Sequence, residues 1–173
     1  MLEIEGLSKE TVYKVMSALL YSLNYAWFQF EDLMRGNCPE VLEGEEYRRF
    51  NENFGSYEAK RLSRALDISG EGIDGLIQFL KHSHWAVFEN IEVEKLTDKS
   101  FRMRTIDCSA QRAAKRWEME YYDCRSAGFL RSAFFEAVDR NAKVQRIFAP
   151  PEIRPEGTPE NVSCEWLISI EEK

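Results

Sequence analysis

The chain has 173 residues, enough for one domain with a real core, and its 44% hydrophobic and 31% charged residues are the balance of an ordinary globular protein. A net charge of −7, with Lys and Arg interleaved among Glu and Asp, excludes the basic stripe that a nucleic-acid surface needs. No apolar run has the length that spans a bilayer, so no membrane partner is expected.

MLEIEGLSKE lacks the basic start and apolar core of a signal peptide, which predicts a cytoplasmic protein. Its four cysteines, Cys38, Cys108, Cys124 and Cys164, are then read as free thiols or ligands and not as disulfides. Aromatic residues at 13% call for a thick core, an apolar ligand cavity or a partner surface.

Thr11 to Arg35 reads as one long helix, in which Val12, Val15, Met16, Leu19, Leu23, Trp27, Phe30 and Leu33 recur at steps of three and four. Gly36 and Pro39 are expected to stop it. Glu45 to Asn53 predicts a short charged helix, and residues 54–69 another, with Tyr57, Leu62, Ala65 and Leu66 for burial. Residues 70–85 open with glycines and close in a helix whose inner face is Ile73, Leu76, Ile77 and Leu80.

The period changes near residue 86. In AVFENIEVEKL, Val87, Ile91 and Val93 oppose Asn90, Glu92 and Glu94; in SFRMRTIDC, Phe101, Met103 and Thr105 oppose Arg102 and Arg104. A turn at Thr97-Asp98-Lys99 makes these an antiparallel hairpin, and a register with Glu94 facing Arg102 and Glu92 facing Arg104 pairs the charges across it. Ser109 is a candidate N-cap for a helix over AQRAAKRWEM. Ala127 to Arg140 predicts a second helix, and residues 143–149 a strand. The loop 150–161 holds four of the five prolines. A last strand puts Val162, Cys164, Trp166, Ile168 and Ile170 on one face.

This pattern is α+β: an antiparallel sheet of about four strands packed against helices, with a helical N-terminal half. The chain reads as a single domain over 1–173, helical over 8–85 and mixed over 86–173.

No G-x-S-x-G, phosphate-binding glycine loop or H-E-x-x-H occurs. The cysteines are too far apart for a C-x-x-C zinc turn, yet Cys108, Cys124 and Cys164 each stand at the edge of an element, where they can converge. Their plain reading is burial as small apolar groups; the sharper one is a metal set, with zinc as the metal, or a reactive thiol. The two histidines, His82 and His84, fall at a helix end, where they are expected to serve free carbonyls. Asp107, Asp123 and Asp139 sit beside helix boundaries and read as caps. The aromatic residues are core by default, and some of them can line a pocket.

The order DCSAQR, CRSAG, FFEAVDR, APPEIRP and CEW resembles a bacterial and archaeal family of small cytosolic proteins of unknown function. Its pattern falls on Cys108 and Gln111, Cys124 and Gly128, Phe135 and Asp139, Pro150 and Pro151, and Cys164 and Trp166; WFQFE and FGSYEAKRL upstream extend the likeness. The chain departs from it at Ala149, where a further cysteine is common, at Glu152, where an Asp is usual, and around Ala114, where an arginine is expected.

The CEW end is also similar to 4-vinyl reductase-type small-molecule-binding domains and to aminothiazoline-carboxylate hydrolase-like proteins. That kinship implies a ligand-binding homodimer with a long helix. The expected function is a small-molecule-binding domain with an aromatic-lined pocket at Trp27, Trp85, Phe88, Gln111 and Trp166. The alternative is a metal- or thiol-dependent hydrolase using Cys108, Cys124 and Cys164.

Overall fold

The computed structural model describes residues 6–66 and 70–171. Residues 67–69, the predicted end of the second charged helix, lie outside them, as do residues 1–5, on which part of the signal-peptide reading rests. The elements run α1 (Lys9–Asn37), α2 (Pro39–Glu43), α3 (Glu45–Leu66), α4 (Gly72–His82), α5 (His84–Phe88), β1 (Asn90–Thr97), β2 (Ser100–Ile106), α6 (Ser109–Arg116), α7 (Arg125–Val138), β3 (Ala142–Phe148) and β4 (Val162–Ile170). This is the expected α+β architecture with a helical N-terminal half. Among the described residues no helix is long and apolar enough to cross a membrane.

The strands form one antiparallel sheet in the order β1-β2-β4-β3. The hairpin has the predicted register, with Glu92 opposite Arg104 and Glu94 opposite Arg102. Arg102 and Arg104 also reach across to Glu165 on β4, at 3.1 and 2.7 Å, so a carboxylate only 7% exposed sits between two guanidinium groups. On the opposite face, alternation buries Phe101 and Met103 of β2 beside Cys164, Trp166 and Ile168 of β4. These pack with Phe134 and Phe135 of α7 in the main core.

The two charged helices predicted around Asn53 are a single helix, α3. Gly55 does not interrupt it; a Cβ at this position would lie 2.2 Å from the Leu130 carbonyl oxygen of α7. Asn51, Gly55 and Ala59, one turn apart, form the buried stripe of α3, so small residues let two helix backbones come together. Gly36 likewise stays helical, and Pro39 begins α2 instead of merely ending α1.

Two further boundaries differ from the sequence reading. Val87 is helical and β1 begins only at Asn90, because the chain turns at buried Ser83 and re-enters a short helix. Ser83 Oγ and N both donate to the Leu80 carbonyl there, at 2.7 and 3.1 Å. Ser109 is the first residue of α6 and not its N-cap. Its amide and hydroxyl both donate to the Glu89 carboxylate, at 2.9 and 2.6 Å, so the cap arrives from the end of α5.

The largest difference concerns α1. Of its 29 residues only Glu31 is buried, and Met16, Leu19, Leu23, Phe30 and Leu33 of the predicted apolar stripe are 48–68% exposed. The stripe does not enter the core. Tyr21 ties the helix to α5 through a hydrogen bond to the Val87 carbonyl at 3.0 Å and an edge contact with Phe88.

Candidate functional site

A cavity of about 470 Å³ lies between α1 and the rest of the molecule. From α1 it takes Leu20, Leu23, Asn24, Trp27, Phe28 and Glu31, residues three and four apart that share one helix face. From α3 come Phe50, Asn51 and Phe54, and from α5 His84, Trp85 and Phe88. The wall opposite α1 contains Cys108, Cys124, Leu130, Arg131 and Cys164. Trp27 stacks on Phe50 with ring centres 5.1 Å apart, and Phe28 meets Tyr122 edge-on at 5.3 Å.

Trp27, Trp85 and Phe88, assigned to ligand binding from the sequence, line this cavity. Gln111 and Trp166 stand behind the wall. Gln111 Nε2 donates to the Tyr122 carbonyl at 2.8 Å and to Cys124 Sγ at 3.3 Å, while its Oε1 accepts from Tyr122 N at 3.0 Å. It thereby clamps the segment that carries Cys124. Trp166 is fully buried, and its indole N–H donates to Cys164 Sγ at 3.2 Å. A buried indole needs an acceptor, and C-x-W supplies one from the same strand face two residues away.

Cys108, Cys124 and Cys164 do meet at one wall. Burial pushes the Cys124 thiol up to about 12, helped by neighbouring Cys164 and opposed by Arg131. Burial, and then the Glu89 carboxylate, likewise hold Cys108 well above its ordinary value. Both are neutral thiols near pH 7 and so poor nucleophiles. Among the described residues no group of three or more His, Cys, Asp or Glu side chains is arranged to hold a metal ion.

The histidines do not cap carbonyls together. His82 is exposed at the end of α4, whereas His84 Nδ1 lies 2.6 Å from Glu58 Oε2 and its amide donates to Glu58 Oε1 at 2.6 Å. Glu58 therefore fixes the ring and satisfies the first amide of α5 at once.

Sequence reasoning passed over two charged residues on the cavity. Glu31 is 2% exposed, and burial raises its carboxyl from 4.5 to about 7, with Arg35 acting in the opposite direction. Tyr47 donates its hydroxyl to Glu31 Oε1. Beyond Glu31 lies a more polar depression of about 550 Å³ that includes Arg35, Glu43, Arg48, Asp123 and Arg125.

Arg131 is 6% exposed, with its guanidinium carbon 5.1 Å from the Trp85 ring centre and 4.6 Å from that of Trp166. The signal for both was present. Arg131 is four residues after Ala127 and three before Phe134 on an apolar face, and Glu31 follows Trp27 by one turn.

A family model for the family of unknown function DUF6125 matches residues 20–170, a span that takes in every residue found lining the cavity. No curated protein and no solved structure matches the chain. The chain belongs to DUF6125.

Proposed function

We propose that this DUF6125 protein is a small-molecule-binding domain whose ligand occupies the cavity beneath α1. Trp27, Trp85 and Phe88 contact the ligand, while Gln111 and Trp166 hold the wall behind it. One observation carries this reading: about 470 Å³ of space is left open among apolar and aromatic side chains beside a well-packed core. Binding cavities run to roughly 300–1,000 Å³, far beyond an ordinary packing defect. The motif likeness to 4-vinyl reductase-type binding domains supports the same reading.

Thermal unfolding in the presence of small apolar acids, amines and neutral compounds tests it. A ligand of the folded state raises Tm by mass action. Ala127→Trp, which fills the cavity from α7, should abolish that shift while leaving a cooperative transition. If no compound moves Tm, or if the filled variant responds like the parent, the cavity is not the site.

A homodimer through α1 is part of the proposal. Val12, Met16, Leu19, Leu23, Ala26, Phe30 and Leu33 alternate steps of four and three, and from Thr11 to Phe30 Lys14 is the only charged residue. That 3.5-residue repeat is the spacing a partner helix requires, and its exposure leaves room for the α1 of a second copy. Light scattering should return twice the chain mass, falling to one chain in Leu19→Lys/Leu33→Lys; a monomeric parent refutes it.

The meeting of Cys108, Cys124 and Cys164 favours the alternative, a thiol-dependent hydrolase. The raised pKa values of Cys108 and Cys124 favour slow alkylation of these two by iodoacetamide at neutral pH. Alkylation faster than that of a free cysteine would restore the hydrolase.

A further inference from the structure

We infer that the ligand of this cavity is an amphipathic carboxylate whose head group is taken by Arg131. The inference rests on the binding-domain reading above and specifies its ligand. Among the described residues Arg131 is the only lysine or arginine lining the cavity. Among the described residues it has no ion pair and one hydrogen bond, a long one of 3.4 Å from Nη1 to the Ala127 carbonyl in its own helix. Its buried Nε has no partner.

A guanidinium buried without a carboxylate is costly, and such groups are ordinarily paired. None of the protein's own acids around the cavity pairs with Arg131, although Glu31 Oε2 is itself buried without a partner. Glu58 holds His84, Glu89 holds Ser109 and Glu31 accepts from Tyr47. The anion that completes Arg131 therefore comes from outside the chain.

The two indoles explain how the site is kept ready. Trp85 and Trp166 lie against the guanidinium, and contacts with aromatic faces fix its plane without using its N–H donors. The free edge matches the planar, two-oxygen geometry of a carboxylate. A phosphate, with more charge, is suited to a cluster of cations, and this cavity offers only one. Most of the remaining lining, with Leu20, Trp27, Phe28, Phe54 and Phe88, is apolar, and Asn24, Glu31, Asn51, His84 and Glu89 add polar groups to it. A carboxylic acid with a hydrocarbon or aromatic body satisfies both halves.

The test titrates the full-length protein with decanoate, phenylbutyrate and naphthylacetate, with the primary amide of each, and with decyl phosphate, by calorimetry and Tm shift. At least one acid should bind about tenfold or more tightly than its amide, as a charge-assisted pair against a neutral one. Arg131→Gln should bring acid and amide to similar affinity while the amide's own binding is retained. Arg131→Lys, which keeps the charge but loses the fork, should fall between them.

Acid and amide binding alike to the parent would overturn the carboxylate assignment and leave the pocket standing. Decyl phosphate binding more tightly than decanoate would overturn it as well. No binding by any of the compounds would remove the pocket reading and this inference with it. The acid–amide comparison in the parent needs no variant, so it decides even if Arg131→Gln fails to fold.

Discussion

Two long helices of this protein use their residues in opposite ways. The 22 residues of α3 bury Asn51, Gly55 and Ala59, small side chains that bring its backbone against α7. The 29 residues of α1 include many more large apolar groups, and bury Glu31 alone. Burial here does not follow hydrophobicity residue by residue. Close helix contact is built from small residues, whereas the large side chains of α1 border a cavity on one face and meet solvent on another. A core and a cover have different composition, and α1 is a cover.

The sharpest way to break this contrast is to give α3 the side chain it lacks. Gly55→Ala places a Cβ against the Leu130 carbonyl, so α3 must move off α7; unfolding in urea should show a loss of about 3 kcal/mol. A neutral or stabilised Gly55→Ala would mean that the two helices are not in close contact.

Glu31 provides the next effect. Its folded pKa is raised above 4.5 to about 7, so between those values the folded protein keeps a proton that the unfolded chain has released. Stability should fall as pH rises through that window and level off above it, by roughly 3–3.5 kcal/mol at about 1.4 kcal/mol per pKa unit. Glu31→Gln should flatten the profile and be the more stable form at pH 8. A parent profile that rises from pH 5 to pH 7 would contradict the burial of this carboxyl beneath α1.

Gly36, in the exposed part of α1, is the control for Gly55. Nothing lies within 4 Å of a Cβ built there, so Gly36→Ala should gain about 0.5–1 kcal/mol from helix propensity alone. The smallest change is expected at the α1 seam. Leu19→Lys, on a residue 48% exposed, should shift the stability of the single chain by no more than about 0.5 kcal/mol while altering its association.

Strands were legible in the sequence because a half-buried strand writes its environment into alternate residues. Glu92, Glu94, Arg102 and Arg104 even fixed the hairpin register. Glycine was harder, since the same residue at Gly55 serves close approach and would serve equally well as a helix end. Ser109 misled for a related reason: a good N-cap residue is also a good donor, and the acceptor, Glu89, is twenty residues away. The α1 stripe has helical periodicity, which reveals that a face is apolar but not what covers it.

In the site, the aromatic members were legible as candidates, and Cys108, Cys124 and Cys164 converge as their positions at element edges allowed. Arg131 and Glu31 were less legible because apolar residues dominate the helix faces that carry them. A charge set within such a face was the clue.

Hydrogen exchange across residues 20–31, with and without saturating decanoate or whichever acid raises Tm most, tests most directly that α1 covers a ligand site. These amides should exchange faster than those of residues 49–60 in the free protein, and slow markedly with ligand while residues 49–60 change little. Equal protection of the two helices in the free protein, or an α1 unaffected by an acid that binds, would contradict it.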